Sequence, residues 1–152
     1  MSEFTTELLE RATIQALERT AFVLVDPCET DETATPTRFA RIEFTGPTCG
    51  SVTIGASDGF LAELASSLLG VEAEEVDIET EGLDAIRELA NILGGSVLND
   101  IGGQDSTFSL GLPELASANE GDAGVTCSFD CEGESLHVTC RTSDIGGAAQ
   151  AA

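Results

Sequence analysis

One stretch of the sequence brings together a carboxylate and a carboxamide. Glu88 and Asn91 lie three residues apart in Gly82–Gly103, a segment with helical periodicity. At about 100° per residue their side chains point roughly 60° apart on neighbouring turns of the helix. A carboxylate pairs with a cationic group, whereas a carboxamide both donates and accepts hydrogen bonds. The spacing therefore predicts a polar surface on which a partner can dock.

The other side of the same helix is apolar. Apolar residues recur at the spacing i, i+4, i+7, i+11 and i+15, which is typical of one buried helical stripe. Because Asp84, Glu88, Asn91 and Gly95 fall on a different stripe, we expect them to face solvent. The buried stripe consists of Ile86, Ala90, Leu93, Val97 and Ile101.

Two adjacent glycines interrupt this helix. Gly94 and Gly95 stand in its interior, where each costs about 1 kcal/mol relative to alanine. Glycine at such a cost indicates a packing or close-approach requirement. Gly95, one turn beyond Asn91, adds no side chain to the polar face and leaves the helix backbone open to another surface.

The charge of the chain limits its partners. Its 152 residues include 28 acidic residues, 6 arginines and no lysine, for a formal net charge of -22. Such a surface repels phosphate backbones and anionic lipid headgroups, so we expect neither nucleic-acid nor membrane binding. With no apolar run of roughly 20 residues and no signal peptide at Met1–Phe4, we expect a cytoplasmic protein.

The five cysteines and the single histidine leave two interpretations open. A metal site made of Cys127, Cys131, His137 and Cys140 is one, although a C-x3-C spacing matches no standard zinc pattern. The other is that the thiols are reduced core residues. If Glu132–Ser135 is a four-residue turn, Cys131 faces Leu136, Phe129 faces Val138 and Cys127 faces Cys140, which leaves His137 exposed beside Asp130.

The remaining patterns predict helices laid on an antiparallel sheet, an α+β fold. Leu68 and Leu69 are expected inward with Phe60, Leu61 and Leu64, and no glycine-rich phosphate loop is present. We assign residues 1–143 to one domain and residues 144–152 to a disordered tail. The predicted elements are a helix at Thr5–Arg19, a strand at Ala21–Val25, an acidic loop at Cys28–Thr37, a hairpin of Arg41–Thr45 and Ser51–Gly55, a helix from Ser57 or Asp58 to Leu69 ended by Gly70, a solvated link at Val71–Glu81, a strand at Thr107–Pro113 and a loop at Glu114–Gly124.

The order of these elements and the segment Asp84–Gly95 resemble the chemotaxis phosphatase family whose members include CheX, CheC and FliY. The segment matches the family's Glu-x-x-Asn-x-x-x-Gly signature, and Ile42–Ile54 matches the hairpin before it. The resemblance implies a CheC/CheX-like fold and dephosphorylation of the phosphorylated response regulator CheY. The chain carries one copy of this signature and so resembles the CheX-like branch of the family. That resemblance implies a homodimer.

The resemblance also implies roles for the residues. Asn91 orients the attacking water, and Glu88 pairs with the partner's active-site lysine, while Asp84 and Gly95 border the footprint. The chain has no lysine and few arginines, so the resemblance implies that the partner's lysine and bound magnesium supply the positive charge on the phosphoryl oxygens. It implies no cofactor for this chain itself. The alternative is a non-catalytic response-regulator-binding or flagellar-switch module of the same fold.

Overall fold

The computed structural model describes residues 6–21, 23–28, 35–46, 49–102, 108–116 and 124–143. Three α-helices and seven strands lie within these ranges. The helices are α1 (Thr6–Thr20), α2 (Asp58–Leu69) and α3 (Leu83–Gly102). The strands are β1 (Asp26–Pro27), β2 (Arg38–Thr45), β3 (Cys49–Ala56), β4 (Ser109–Leu110), β5 (Glu114–Ala116), β6 (Val125–Cys131) and β7 (Glu134–Ser143).

The strands of the described ranges form one seven-stranded sheet in the order β1-β6-β7-β3-β2-β4, and β5 also pairs with β2. Every pairing is antiparallel. The helices pack on one face of the sheet, with α3 against β2 and β3, α1 against β6, and α2 against β7. The predicted α+β fold, with helices on one face of a largely antiparallel sheet, is confirmed.

The core lies between the helices and the inward-facing residues of the central strands. The predicted hairpin of β2 and β3 is confirmed, and Ile42 pairs with Val52 in it. Alternation along each strand sends every second residue into the core. The inward residues with no exposed surface include Ala40, Ile42, Val52, Ile54, Phe129, Leu136 and Val138.

Helix α3 lies directly on this sheet. Ile86, Ala90, Leu93 and Val97 of its predicted stripe are fully buried, whereas the side chain of Ile101 is outside the described part. Gly94 is the point of closest approach, because a Cβ there would lie 3.0 Å from Ile42 Cγ2 and 3.0 Å from Leu110 Cδ1. The expected packing reason for this glycine is therefore present.

Helix α2 is fixed at both ends. Ser57 occupies its N-cap position, but the hydroxyl donates to Glu134 Oε1 at 2.8 Å and accepts from the Ser135 N–H at 3.0 Å, so it ties the helix to β7. At the other end Gly70 adopts a left-handed conformation, with φ of 74°. The predicted stop at Gly70 is confirmed.

The predicted link at Val71–Glu81 is wrong in part, because it contains a 3₁₀ turn at Ala73–Glu75 and begins a π-helical turn, Ile78–Gly82, that continues into α3. Arg38 holds this entry by bonding both Asp58 Oδ1, at 3.2 Å, and Glu79 Oε2, at 2.7 Å. The hydrogen bond from Thr37 and the neighbouring Arg38 lower the pKa of the Asp58 carboxyl. These contacts tie the π-helical turn before α3 to the start of α2.

The prediction of a strand at Ala21–Val25 is wrong. The chain is strand only at Asp26–Pro27, and the Val23 N–H instead donates to the Leu17 carbonyl at 3.1 Å. Val23 and Val25 are buried without strand pairing, because the segment turns around the end of α1. Phe22 and residues 29–34 of the predicted acidic loop lie outside the described residues.

The prediction of one strand at Thr107–Pro113 followed by a loop at Glu114–Gly124 is also wrong. Two short strands, β4 and β5, pair with β2 on the same edge of the sheet. Leu110 pairs with Phe44 and Glu114 with Arg41, so one residue more lies on this side than on β2 and the edge forms a bulge. Thr107 and residues 117–123 lie outside the described ranges, as does the predicted disordered tail at 144–152.

The C-terminal hairpin has a tighter turn than predicted. Only Glu132 and Gly133 separate the strands, with φ of 53° and 90°, as a two-residue type I′ turn requires. Phe129 therefore pairs with Leu136 and Cys127 with Val138, two residues from the predicted register. A shift of two keeps each residue on its predicted face, so Cys127 and Cys140 do face the core.

The expected exposure of His137 is wrong. Only 8% of the residue is exposed, because β7 lies in the interior of the sheet and His137 pairs with Ser128 on one side and Gly55 on the other. The ring of Phe39 covers Gly55, where a Cβ would lie 2.6 Å from it. Burial lowers the pKa of His137, and its Nε2 has no hydrogen-bond partner among the described residues.

The two helix glycines predict opposite effects of the same substitution. Gly95→Ala should raise the free energy of unfolding by about 1 kcal/mol through helix propensity, since a Cβ there meets nothing within 4 Å. Gly94→Ala should lower it by about 1 kcal/mol, because overpacking exceeds that gain. Urea unfolding of both variants tests the packing, and a stabilised Gly94→Ala would show that α3 is not seated on Ile42 as described.

Burial of His137 predicts a pH-dependent contribution to stability. A histidine with a lowered pKa binds fewer protons folded than unfolded, so its share of stability is lost as pH falls below the ordinary value of 6.5. Urea unfolding at pH 7.5 and 5.0 should show a larger acid-induced loss in the wild type than in His137→Gln. The carboxylates are common to both proteins, so equal losses would contradict the buried histidine.

Candidate functional site

All four residues of the predicted site lie on the exposed side of α3. Asp84, Glu88, Asn91 and Gly95 are each exposed, one helical turn apart. Leu89 and Ala90, between the two polar residues, are fully buried. The amphipathic helix therefore places a carboxylate and a carboxamide side by side on solvent-facing backbone.

Two grooves flank this row of side chains. The first, of about 500 Å³, runs towards α2 and is lined by Leu68, Leu69, Glu81, Asp84, Ala85 and Glu88. The second, of about 420 Å³, runs towards the β4–β5 bulge and is lined by Asp84, Arg87, Glu88, Asn91, Leu112 and Pro113. Because Asp84 and Glu88 line both, the row forms a ridge between two depressions, and we call it the α3 ridge (Asp84, Glu88 and Asn91).

The electrostatics of the ridge are acidic. Arg87 is the one cationic residue among those lining the two grooves, and its guanidinium donates to Asp84 Oδ1 at 2.6 Å. The carboxylates of Glu81 and Glu88 belong to the same surface. An approaching cationic group therefore meets an excess of negative charge.

Gly95 lies on the same side of α3. A Cβ at this position would meet no atom within 4 Å, in contrast to the neighbouring Gly94. Nothing within the described part of the chain requires a glycine here, so its exposed backbone is available to another molecule.

The sequence reasoning missed the leucines beside the ridge. Leu69 was expected inward with Leu68, yet it is 53% exposed, because it is the last residue of α2 and Gly70 turns the chain away. Leu112 was placed in a strand, yet it is 84% exposed in the bulge. Pro113 did predict that the strand ends at a sheet edge, but it did not indicate that the preceding leucine faces solvent.

The cysteines do not form the alternative metal site. Successive residues of a strand point to opposite faces, so His137 lies on the face away from Cys140 and Cys127. The described residues contain no group of three or more His, Cys, Asp or Glu that could hold a metal ion. Burial raises the pKa of both Cys127 and Cys140 to about 12, as expected of core thiols.

No helix in the described ranges is both long and apolar enough to cross a membrane.

Several solved structures share this fold. CheX from Vibrio vulnificus superimposes with a TM-score of 0.71 at 17% identity, over 90% of this chain and 94% of that chain. A chain of the CheX–CheY–BeF3–Mg²⁺ complex from Borrelia burgdorferi gives 0.69 at 16% identity, over 91% and 97%. FliY from Thermotoga maritima gives 0.52 at 14% identity, over 94% and 93%.

The sequence itself matches a family model described as chemotaxis phosphatase CheX, over residues 38–132. No curated protein matches the sequence. The matched range runs from the start of β2 through α3 to the turn after β6, and it includes the whole ridge. The chain belongs to the CheX chemotaxis phosphatase family, as the sequence resemblance predicted.

The burial of the core thiols predicts selective labelling. At pH 8 a thiol with a pKa of about 12 is ionised in about one molecule in ten thousand, so Cys127 and Cys140 should react with a disulfide reagent far more slowly than the exposed Cys49. Mass spectrometry of the labelled native protein identifies the sites. All five thiols should react in urea, and labelling of Cys127 or Cys140 at the rate of Cys49 would contradict the core placement.

Proposed function

We propose that this protein is a phosphatase that hydrolyses the aspartyl phosphate of a CheY-type response regulator. The observation that carries the proposal is the α3 ridge, on which Glu88 and Asn91 are exposed together in a chain of the CheX family. The Borrelia burgdorferi complex joins CheX, CheY, BeF3 and Mg²⁺. Since BeF3 on a carboxylate mimics a phosphoryl group, that complex supports a phosphorylated regulator as the partner.

In the proposed reaction Asn91 positions the water. Hydrolysis of an acyl phosphate requires a water in line with the departing carboxylate, and most of the catalysis is orientation and charge neutralisation. A carboxamide accepts a hydrogen bond from the water through its oxygen and donates through its nitrogen. An exposed position on a packed helix allows Asn91 to enter the regulator's site without moving the sheet.

Glu88 anchors the ridge. Its carboxylate lies one turn before Asn91 on the same exposed face, within reach of a cationic side chain that borders the phosphoryl group. We assign it to the regulator's active-site lysine, because charge-assisted hydrogen bonds are strong and directional. That pair fixes the depth at which Asn91 is inserted.

The charge on the phosphoryl oxygens must be neutralised by the partner. This chain has no lysine, and Arg87, at the ridge, is bonded to Asp84. We therefore assign the cations to the regulator's lysine and magnesium ion, and no cofactor to this protein. Asp84 and Gly95 border the surface that the regulator would cover. Asp84 pairs there with Arg87, and Gly95 leaves the helix backbone uncovered.

The proposal places the protein in the cytoplasm, where response regulators are phosphorylated. It includes neither nucleic acid nor membrane among the partners, in keeping with the net charge of -22. A single Glu-x-x-Asn signature and the CheX family lead us to include a homodimer. The non-catalytic regulator-binding or flagellar-switch module is the outcome to be separated from catalysis by measurement.

Substitution of Asn91 should abolish most of the activity. We expect Asn91→Ala to lower kcat for phosphate release from an acetyl-phosphate-charged CheY-type regulator about 100-fold, because the water loses its orientation. Glu88→Gln should mainly raise KM, since it removes a charged pair that holds the partner. Phosphate release at increasing regulator concentration separates the two effects.

Asn99→Ala is the matched control, because Asn99 is an exposed asparagine two turns further along α3. It should retain wild-type rates. If Asn91→Ala also retains them, the assignment of the water-positioning residue is wrong. If the wild type does not exceed the regulator's own rate of decay, the phosphatase proposal is wrong for that regulator.

A further inference from the structure

Two of the exposed leucines stand on either side of the α3 ridge. Among the described residues the large hydrophobic side chains with substantial exposure are Leu24, Leu69, Leu112 and Leu115. Leu69 lies in the groove towards α2, and Leu112 lies in the groove towards β4 and β5. An exposed apolar side chain that lines a groove gains free energy when a partner covers it.

Leu112 is held in its exposed position by its neighbours. The side chain of Leu110 lies against α3 at Gly94. The ring of Phe108 packs edge to face against the ring of Phe44, with centroids 6.0 Å apart. The Gly111 N–H donates to the Glu43 carbonyl at 2.8 Å. The extra residue of the bulge then directs the next side chain out of the sheet, which is how bulges position residues beside functional sites.

Leu69 is positioned by the end of α2. Leu68 packs partly against the core, while Leu69 is the last helical residue before the left-handed Gly70. The Gly70 N–H donates to the Ser66 carbonyl at 2.8 Å, so the helix end is closed and ordered. The two leucines are therefore presented by fixed backbone, one from a helix end and the other from a sheet edge.

We propose that Leu69 and Leu112 are the two apolar docking contacts for the phosphorylated receiver domain, and that they strengthen its binding beyond the Glu88 pair. This inference rests on the proposed function. A phosphoryl site is concave, so insertion of the α3 ridge brings the rim of that site into both grooves. The shared lining residues Asp84 and Glu88 make one continuous surface of ridge and grooves.

The charges of the grooves favour this occupant. Glu81, Asp84 and Glu88 line the groove that contains Leu69, so the rim that enters it is expected to be basic with an apolar contact. A receiver site that carries a lysine and a magnesium ion supplies positive charge at the ridge itself. A second copy of this acidic chain would instead bring like charges together.

The leucines and Asn91 should affect different kinetic parameters. The α3 ridge lies between the two leucines, so in the proposed complex it is the ridge and not the leucines that contacts the phosphoryl group. Leu69 and Leu112 would therefore stabilise the ground state and the transition state equally. Contacts of that kind change KM and leave kcat unaltered. Loss of a covered leucine side chain weakens binding by roughly tenfold.

The test uses the full-length chain with Leu69→Ser, Leu112→Ser and both changes together. We measure its affinity for the organism's CheY-type regulators loaded with beryllofluoride and Mg²⁺, and KM and kcat with the same regulators charged by acetyl phosphate. Each single change should raise Kd and KM about fivefold to tenfold with kcat within about twofold. Leu24→Ser is the matched control, since Leu24 is 71% exposed beside β1, at the opposite edge of the sheet.

The outcomes separate the two proposals. A double variant with wild-type Kd and KM overturns the docking contacts, whether or not Asn91 is required for phosphate release. A wild type that binds the beryllofluoride-loaded regulator but releases no phosphate overturns the phosphatase proposal, and loss of that binding in the double variant still supports docking. A wild type that binds none of the organism's regulators overturns both, and thermal unfolding of each variant shows whether it is folded.

Discussion

The close contact between α3 and the sheet at Gly94 is the constraint on which the site depends. The space between the helix backbone, Ile42 and Leu110 is too small for a Cβ at ordinary contact distance. With the helix seated there, its apolar stripe is buried and its rotation about its own axis is fixed. Glu88 and Asn91 must then face outward, and they do so from a rigid element, which is more exact than presentation from a loop.

Two of the six arginines of the chain hold acidic segments around this helix. Arg38 joins the start of α2 to the π-helical turn before α3, and Arg87 pairs with Asp84. The protein thus presents a carboxylate and a carboxamide without a nearby surplus of positive charge. In the proposed reaction the regulator therefore supplies the positive charge that neutralises the phosphoryl oxygens. This chain supplies the groups that orient the attacking water.

Much of this arrangement could be predicted from the sequence. The periodicity of α3, the β2–β3 hairpin and the stop at Gly70 each follow from local rules, and they led to the correct family. The register of the C-terminal hairpin was missed because alternation fixes faces but not a shift of two residues, and Glu132 adopts a positive φ that its residue type does not suggest. The exposure of Leu69 and Leu112 depends on a helix end and an edge bulge, which involve contacts distant in sequence.

The central pairing of the sheet has a further consequence for the nascent chain. β3 pairs with β7 over eight residue pairs, although α2 and α3 lie between these strands in sequence. Pairings of such long range slow folding, and β7 is the last described strand to be synthesised. Until it arrives, the hairpin of β2 and β3 has an open edge that invites pairing between chains. The acidic composition of the chain, 28 acidic residues against 6 arginines, disfavours such pairing between copies.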